Sequence, residues 1–286
     1  PGDLPETFGR WVHIHDFAHQ ILNETFQLER LEISSLDRDA QAALRALLEG
    51  EASYLQYLYL EGDFLNAEQQ SEIFDGLNAA ATNTLEDLPA YLQDEFAFAY
   101  VEGLLFVQSL HEGDGYEALN EAWSSFPEST EQILHPDRYL SGDSPLPVTI
   151  DPLGEGFENW RLVGGDVLGE FHLRQHLQGQ GLPDSQIDQA ATGWGGGRYA
   201  VYQNENTGDL ILLVRLDWDT PADSDEFTAT YGTLMSQKYD DQGVALPGGD
   251  LCWEGEDATC LLRSAGDTLI VRGPDLETVN AVIANQ

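Results

Sequence analysis

Basic side chains are scarce in this chain of 286 residues. It carries 12 lysines and arginines, of which only Lys238 is a lysine, against 51 aspartates and glutamates, and its net charge is −39. Such a field repels nucleic acids and anionic lipids, so neither is expected as a partner. Because the acids are spread along the chain, they predict a solvated acidic surface. Adaptation to high salt and a cation-rich or acidic exterior habitat both fit this surface.

Long apolar runs are absent as well. No stretch of 18 apolar residues occurs, so the sequence predicts no membrane span. No signal peptide is recognisable and the chain begins at Pro1 without methionine, so we expect a processed or trimmed product. With 42% hydrophobic residues, the chain can still build one large or two medium domains around a core.

Cysteine is limited to Cys252 and Cys260, which flank a short polar segment. This spacing fits a disulfide across a β-hairpin, and such a disulfide would indicate an oxidising compartment. Two neighbouring free thiols are the alternative.

Helical periodicity dominates the first half of the chain. Its last helix is expected to end at His135-Pro136, and the stretch 141–160, rich in proline and glycine, predicts a linker. The helices predicted before this linker cover residues 10–31, 37–61, 67–81, 85–110, 115–125 and 128–134.

The apolar period changes after Gly193, where alternating segments predict strands. We expect an α+β protein: a mainly helical domain over 1–150, a linker and helices packing on it over 151–192, and a small antiparallel sheet domain over 193–286. Its helices are expected on one face of the sheet. The predicted strands cover 198–203, 210–218, 251–253, 259–263 and 268–272, and the predicted helices cover 165–179, 183–192, 223–239 and 275–285.

The first predicted helix contains His15-Asp16-Phe17-Ala18-His19. Two histidines four residues apart lie on one face of a helix and can bind one metal ion. Glu49, on the second predicted helix, is the candidate for a third ligand, since two antiparallel helices would return it beside His15 and His19. A chance pair of surface or core histidines is the alternative. His172 and His176 share the same spacing, and we interpret them as helix-surface residues.

The segment from His15 to Leu28 resembles the pattern H-E-x-T-H-A-L-Q-D-Q-H-F-D-L of a poorly characterised family of bacterial, exported, gluzincin-like proteins. The segment 49–52, Glu-Gly-Glu-Ala, is similar to the E-G-D-A of that family. Segments at 100–103, 129–136 and 193–196 also resemble the family, so the likeness extends from residue 11 to about 230.

This resemblance implies a zinc metallopeptidase that acts on a protein or peptide substrate outside the cell or at its surface. His15, His19 and Glu49 would bind zinc, and Asp16 would occupy the place of the general base. His135 or Tyr100 would donate a hydrogen bond to the developing oxyanion.

Two departures from the family pattern favour a second hypothesis. Asp16 replaces the usual glutamate and is one methylene shorter. The sheet that normally precedes the metal-binding helix is not in this sequence, and two explanations stay open: it was removed, or it never existed. The alternative is therefore a non-catalytic extracellular protein, a pseudoenzyme that assembles with copies of itself. The 6 tryptophans and 11 tyrosines offer material for such contacts.

Overall fold

The computed structural model describes residues 6–84, 88–246 and 249–286. Contacts within it separate two compact units. The first contains the described residues up to Leu36 together with Ala40–Asp143, and the second contains Asp37–Asp39 and Ser144–Gln286. The first unit is helical and the second contains an antiparallel sheet, so the predicted α+β class is confirmed.

Helices form the first unit. Two short 3₁₀ turns, Leu28–Arg30 and Ile33–Ser35, lie between α1 and α2, and a π-helical turn, Phe98–Glu102, joins α4 to α5. The helix predicted over 85–110 is therefore three successive segments, and residues 85–87 of that prediction lie outside the described residues. The helices are α1 Glu6–Phe26, α2 Arg38–Glu61, α3 Ala67–Thr84, α4 Ala90–Ala97, α5 Gly103–Asp114, α6 Tyr116–Ala122, α7 Thr130–Leu134 and α8 Pro136–Ser141.

The second unit is an antiparallel sheet with four helices among its described residues. The strand order is β1-β2-β3-β7-β6-β5-β4. The strands are β1 Trp160–Val167, β2 Trp194–Asn204, β3 Leu210–Trp218, β4 Val244–Ala245, β5 Leu251–Glu254, β6 Ala258–Ser264 and β7 Asp267–Gly273. The helices are α9 Glu170–Gln178, α10 Asp184–Ala191, α11 Pro221–Tyr239 and α12 Leu276–Ile283.

Helices cover both faces of this sheet, which corrects the expectation of a single covered face. On β7, Ile270 belongs to the core formed with α9, α10 and α11, whereas its neighbours Leu269 and Val271 belong to the core formed with α12. Successive residues of a strand point to opposite faces, so the two cores lie on opposite sides of the sheet. The order of helices and strands along the sequence does not specify which helices cover which face of the sheet.

Residues 151–192 were expected to be a linker and helices packing on the N-terminal domain. In the structure, residues 160–167 form β1, which pairs with β2, and α9 and α10 contribute Leu173, Leu177 and Ile187 to the core of the sheet unit. The strand escaped prediction because its burial pattern does not alternate and a bulge interrupts its pairing between Leu162 and Gly164. Its Gly-Gly pair also lowers β propensity.

The glycine-rich segment at 193–197 leads into strand β2. Gly193 has a φ of +86°, and the strand begins directly after it, at Trp194. A Cβ atom on Gly196 would lie 2.5 Å from the Leu146 carbonyl oxygen, and one on Gly197 would lie 2.4 Å from that of Leu168. Glycine at these two positions therefore allows the backbone at Leu146 and at Leu168 to lie directly against β2.

Cys252 and Cys260 are directly opposite each other on β5 and β6 and form a disulfide. Both lie in the core on the α12 face, with 3% and 0% of their surface exposed. Among the helices described, none combines the length and the apolar character needed to cross a bilayer.

Candidate metal site

Helices α1 and α2 bring His15, His19 and Glu49 together. The histidines stand one helical turn apart on α1, and Glu49 lies near the middle of α2. The Glu49 Oε2 atom is 3.1 Å from His15 Nε2 and 3.2 Å from His19 Nε2, and the two Nε2 atoms are 3.0 Å apart. One ligand atom from each residue thus converges on a common point, and the three residues could hold a metal ion.

Hydrogen bonds alone do not account for the three short contacts among His15, His19 and Glu49. With Glu49 ionised, an imidazole nitrogen that faces its neighbours either donates one proton or offers one lone pair. Protons can then satisfy at most two of the three contacts. A cation at the centre satisfies all three. Ligands of a tetrahedral ion at 2.0–2.1 Å lie about 3.3 Å apart, close to the separations observed here.

Tyr100 supports two members of the group. Its ring stacks on His15, with centroids 5.7 Å apart and an interplanar angle of 22°. Its hydroxyl lies near enough to the Glu49 carboxylate for each group to shift the pKa of the other. Burial and the nearby negative charge of Glu49 raise the pKa of Tyr100 to about 12, so this hydroxyl keeps its proton at neutral pH. Tyr100 therefore acts on a candidate ligand.

The Glu49 carboxyl is acidic despite its partial burial. Burial by itself would raise its pKa, but hydrogen bonds with His15, His19 and Tyr100 outweigh that effect and hold the pKa well below the usual range. Glu49 is consequently ionised at neutral pH, which is the form that binds a cation.

Two glycines set the distance between α2 and the helix that carries Tyr100. A Cβ atom on Gly50 would lie 2.3 Å from the carbonyl carbon and oxygen of Gly103, and one on Gly103 would lie 2.2 Å from the carbonyl oxygen of Ala46. The backbones therefore touch directly beside Glu49. Tyr100 itself lies in the π-helical turn, a feature that is frequent at functional sites.

The two histidines are supported unequally. His15 stacks on Tyr100, whereas His19 Nδ1 is buried and has no hydrogen-bond partner in the described part of the chain. Metal-binding histidines usually donate this second ring N–H to an acceptor. The orientation of His19 consequently depends on packing and on its contact with His15.

Asp16, the residue in the place of the general base, points away from this group. Its side chain is 69% exposed, and its Oδ2 atom lies 3.8 Å from Nδ1 of His13. One helical position turns the side chain by about 100°, so a residue adjacent to His15 does not automatically share its face. The three ligand candidates converge as predicted, and Asp16 is not a member of the convergent group.

His135, the other suggested oxyanion donor, lies at the junction of α7 and α8. Its backbone N–H donates to Glu131 at 2.8 Å, and its carbonyl oxygen accepts from Arg138 at 2.8 Å. It is not part of the convergent group. Its role as an oxyanion donor stays a prediction.

The ligand side chains are accessible to solvent. The exposed fractions are 16% for His15, 28% for His19 and 14% for Glu49. Each candidate ligand therefore keeps part of its side chain in contact with solvent. An accessible fourth position separates catalytic metal sites from closed structural ones.

Sequence reasoning missed the contact between Gly50 and Gly103 that brings Tyr100 to Glu49. No local signal marks this contact, because Glu-Gly occurs at six places in the sequence, of which 49–50 and 102–103 are two. His176 lies on the exposed surface of α9, as predicted, with its ring centroid 6.2 Å from that of Tyr231.

Comparison with known proteins yields one match. A family model described as a domain of unknown function, DUF8575, matches residues 160–283. This range runs from β1 into α12 and contains none of the three metal-ligand candidates. No curated protein and no solved structure matches the chain significantly.

Proposed function

We propose that the helical unit binds one zinc ion through His15, His19 and Glu49 and is a metallopeptidase-like protein. The carrying observation is the convergence of two imidazole nitrogens and one carboxylate oxygen at 3.0–3.2 Å from one another. Two histidines and one glutamate form a donor set that suits zinc and leaves a fourth position open. Calcium and magnesium prefer oxygen ligands.

The residues of the site have two roles in this proposal: some bind the zinc ion, and others orient the ligands. His15 and His19 present their nitrogens from one face of α1, and Glu49 supplies the negative charge. Tyr100 stacks on His15 and so helps to orient that ring. Zinc, when bound, would lower the pKa of a water molecule and polarise a peptide carbonyl.

Catalysis in this proposal depends on Asp16. A general base must come within hydrogen-bond reach of the proton it takes, and Asp16 lies exposed beside His13. Side-chain rotation or substrate binding must therefore bring its carboxylate to the site. The substrate in this proposal is a peptide or protein, and the compartment is extracellular or at the cell surface. The buried Cys252–Cys260 disulfide supports an oxidising environment.

The outward position of Asp16 favours a second candidate function. A zinc ion that joins α1 to α2 without a positioned base would stabilise the helical unit and leave it inactive. The protein would then serve as a non-catalytic extracellular scaffold that associates with copies of itself.

Metal analysis of the purified protein tests the site itself. We expect about one zinc per chain after dialysis against zinc and removal of the excess. His15→Ala and Glu49→Gln should each lower zinc affinity about tenfold or more, because either change removes a ligand. His13→Ala is the matched control, since His13 is exposed on the same helix and is not part of the group. Wild-type protein without zinc would overturn the proposal.

A peptidase assay separates the two candidate functions. Zinc-loaded wild type, Asp16→Ala and Asp16→Glu are compared on an unstructured protein substrate such as casein. Loss of activity in Asp16→Ala, at unchanged zinc content, supports the enzyme. Inactive wild type with normal zinc content, together with concentration-dependent assembly, supports the scaffold.

A further inference from the structure

Arg45 lies one helical turn before Glu49 on α2. Side chains four residues apart share a helix face, so Arg45 and Glu49 project to the same side. The Arg45 guanidinium lies over the ring of Phe96, 5.3 Å from its centroid, and the residue is exposed. Arg45 therefore presents a positive charge to solvent at the side of α2 that carries Glu49.

Aromatic rings connect this guanidinium to the candidate ligands. The Phe96 ring stacks on Tyr100 with centroids 6.4 Å apart, and Tyr100 stacks on His15 with centroids 5.7 Å apart. The charge of Arg45 also acts on Tyr100, since it opposes the rise of the Tyr100 pKa. The stacked rings of Phe96, Tyr100 and His15 thus form a continuous aromatic surface. It extends from Arg45 to the point where the ligand atoms converge.

Arg45 has no carboxylate partner in the part of the chain that the structure describes. Acidic residues outnumber basic ones 51 to 12 in this chain, and Arg10, Arg138 and Arg174 each pair with a carboxylate. The Arg45 guanidinium instead lies over the Phe96 ring. Its five N–H donors are therefore available to a ligand.

We propose that Arg45 binds a carboxylate of the ligand that occupies the candidate metal site. This inference rests on the proposed function and narrows its substrate class to peptides that bear a negative charge a few ångströms from the metal-binding group. The carboxylate is either the C-terminus of the peptide or an acidic side chain. In a molecule of net charge −39, an anionic ligand needs such a local cation.

Paired hydroxamate probes test this inference by isothermal titration of the zinc-loaded protein. Butyrohydroxamate carries only the metal-binding group, and succinic monohydroxamate adds one carboxylate. The measured quantity is the ratio of the two affinities. Arg45→Gln should lower the ratio at least about tenfold, because it removes a charge-assisted hydrogen bond. It should leave zinc content and butyrohydroxamate affinity unchanged. Arg45→Lys should restore the ratio in part.

Arg10→Gln is the matched control, since it removes one exposed positive charge from α1 and should leave the ratio unchanged. An equal ratio in wild type and Arg45→Gln would overturn the inference while leaving the zinc site intact. Failure of wild type to bind zinc or either hydroxamate would instead overturn the proposed function, and the inference with it.

Hydroxamate-capped dipeptides identify the source of the carboxylate. One series compares a free C-terminus with its amide, and the other compares an Asp side chain with Asn. A preference for the free acid that Arg45→Gln abolishes indicates C-terminal recognition, and a preference for Asp that it abolishes indicates an acidic side chain. Absence of both preferences in wild type would also overturn the inference.

Discussion

At the scale of single residues, a local pattern predicted the two histidines of the candidate metal site, and contacts between distant elements decided what surrounds them. The four-residue spacing places His15 and His19 on one face of a helix, whatever the rest of the fold does. Glu49 required the further assumption that α2 runs back along α1. The stacking of Tyr100 on His15 depends on the close contact between Gly50 and Gly103, which belong to elements distant in the sequence, and it has no local signature.

Asp257 in the sheet unit allows a test of how much one ionised side chain contributes to the stability of the protein. It accepts hydrogen bonds from Tyr239, from Lys238 at 3.2 Å and from Arg272 at 2.8 Å. Burial raises its pKa, but these bonds outweigh burial and lower it below the ordinary value. A lowered carboxyl pKa adds stability above the unfolded pKa of about 3.9, and this stability is lost as the pH falls through the folded pKa.

We therefore expect Asp257→Asn to reduce the free energy of unfolding by about 1 to 2 kcal/mol at pH 7. The difference from wild type should shrink as the pH falls below about 4. Urea unfolding at several pH values measures it. Glu256→Gln is the control, because the exposed neighbour carries the same charge in the same turn. If the free energies of unfolding of wild type and Asp257→Asn differ by the same amount down to pH 2, the ionised Asp257 carboxylate is not the source of this stability.

At the scale of elements, periodicity predicted most helices and missed a strand. Helix α2 was predicted over 37–61 and covers Arg38–Glu61, since its apolar positions repeat at the helical period. Strand β1 shows no such regularity, and its pairing with β2 is what makes it a strand. The division of helices between the two sheet faces is likewise a matter of packing.

The contact between Gly50 and Gly103 leads to a prediction at this scale. Gly50→Ala would place a Cβ atom 2.3 Å from the backbone of Gly103, so α2 must shift away from the helix that carries Tyr100. We expect a loss of about 1 to 3 kcal/mol in the free energy of unfolding. Zinc affinity should fall as well, because Glu49 moves with Gly50.

Gly113→Ala is the matched control for this substitution. Gly113 lies in α5, and a Cβ atom there would meet nothing within 4 Å. Alanine should therefore leave stability unchanged or raise it by up to about 1 kcal/mol, through its better helix propensity. Thermal unfolding and zinc titration of both variants provide the measurement. Equal behaviour of the two variants would show that the close contact does not limit the site.

At the scale of the whole molecule, charge dominates. The net charge of −39 makes the folded chain repel itself, and salt screens that repulsion. The Debye length falls from about 10 Å at 0.1 M to about 3 Å at 1 M. We expect the midpoint of thermal unfolding to rise over this range of sodium chloride. Sucrose at matched osmolarity is the control for effects other than screening, and a midpoint that falls or stays constant in salt would contradict the explanation.

The sequence by itself determined the acidic surface, the periods of most helices, the α+β class and the four-residue spacing of two histidines. These properties depend on composition or on residues within one turn of each other. Only the tertiary structure decided that Glu49 meets both histidines, that Tyr100 stacks on His15, that Asp16 points towards His13 and that residues 160–167 join the sheet. Each of these depends on the packing of distant elements or on the rotation of one helix about its axis, which no local pattern specifies.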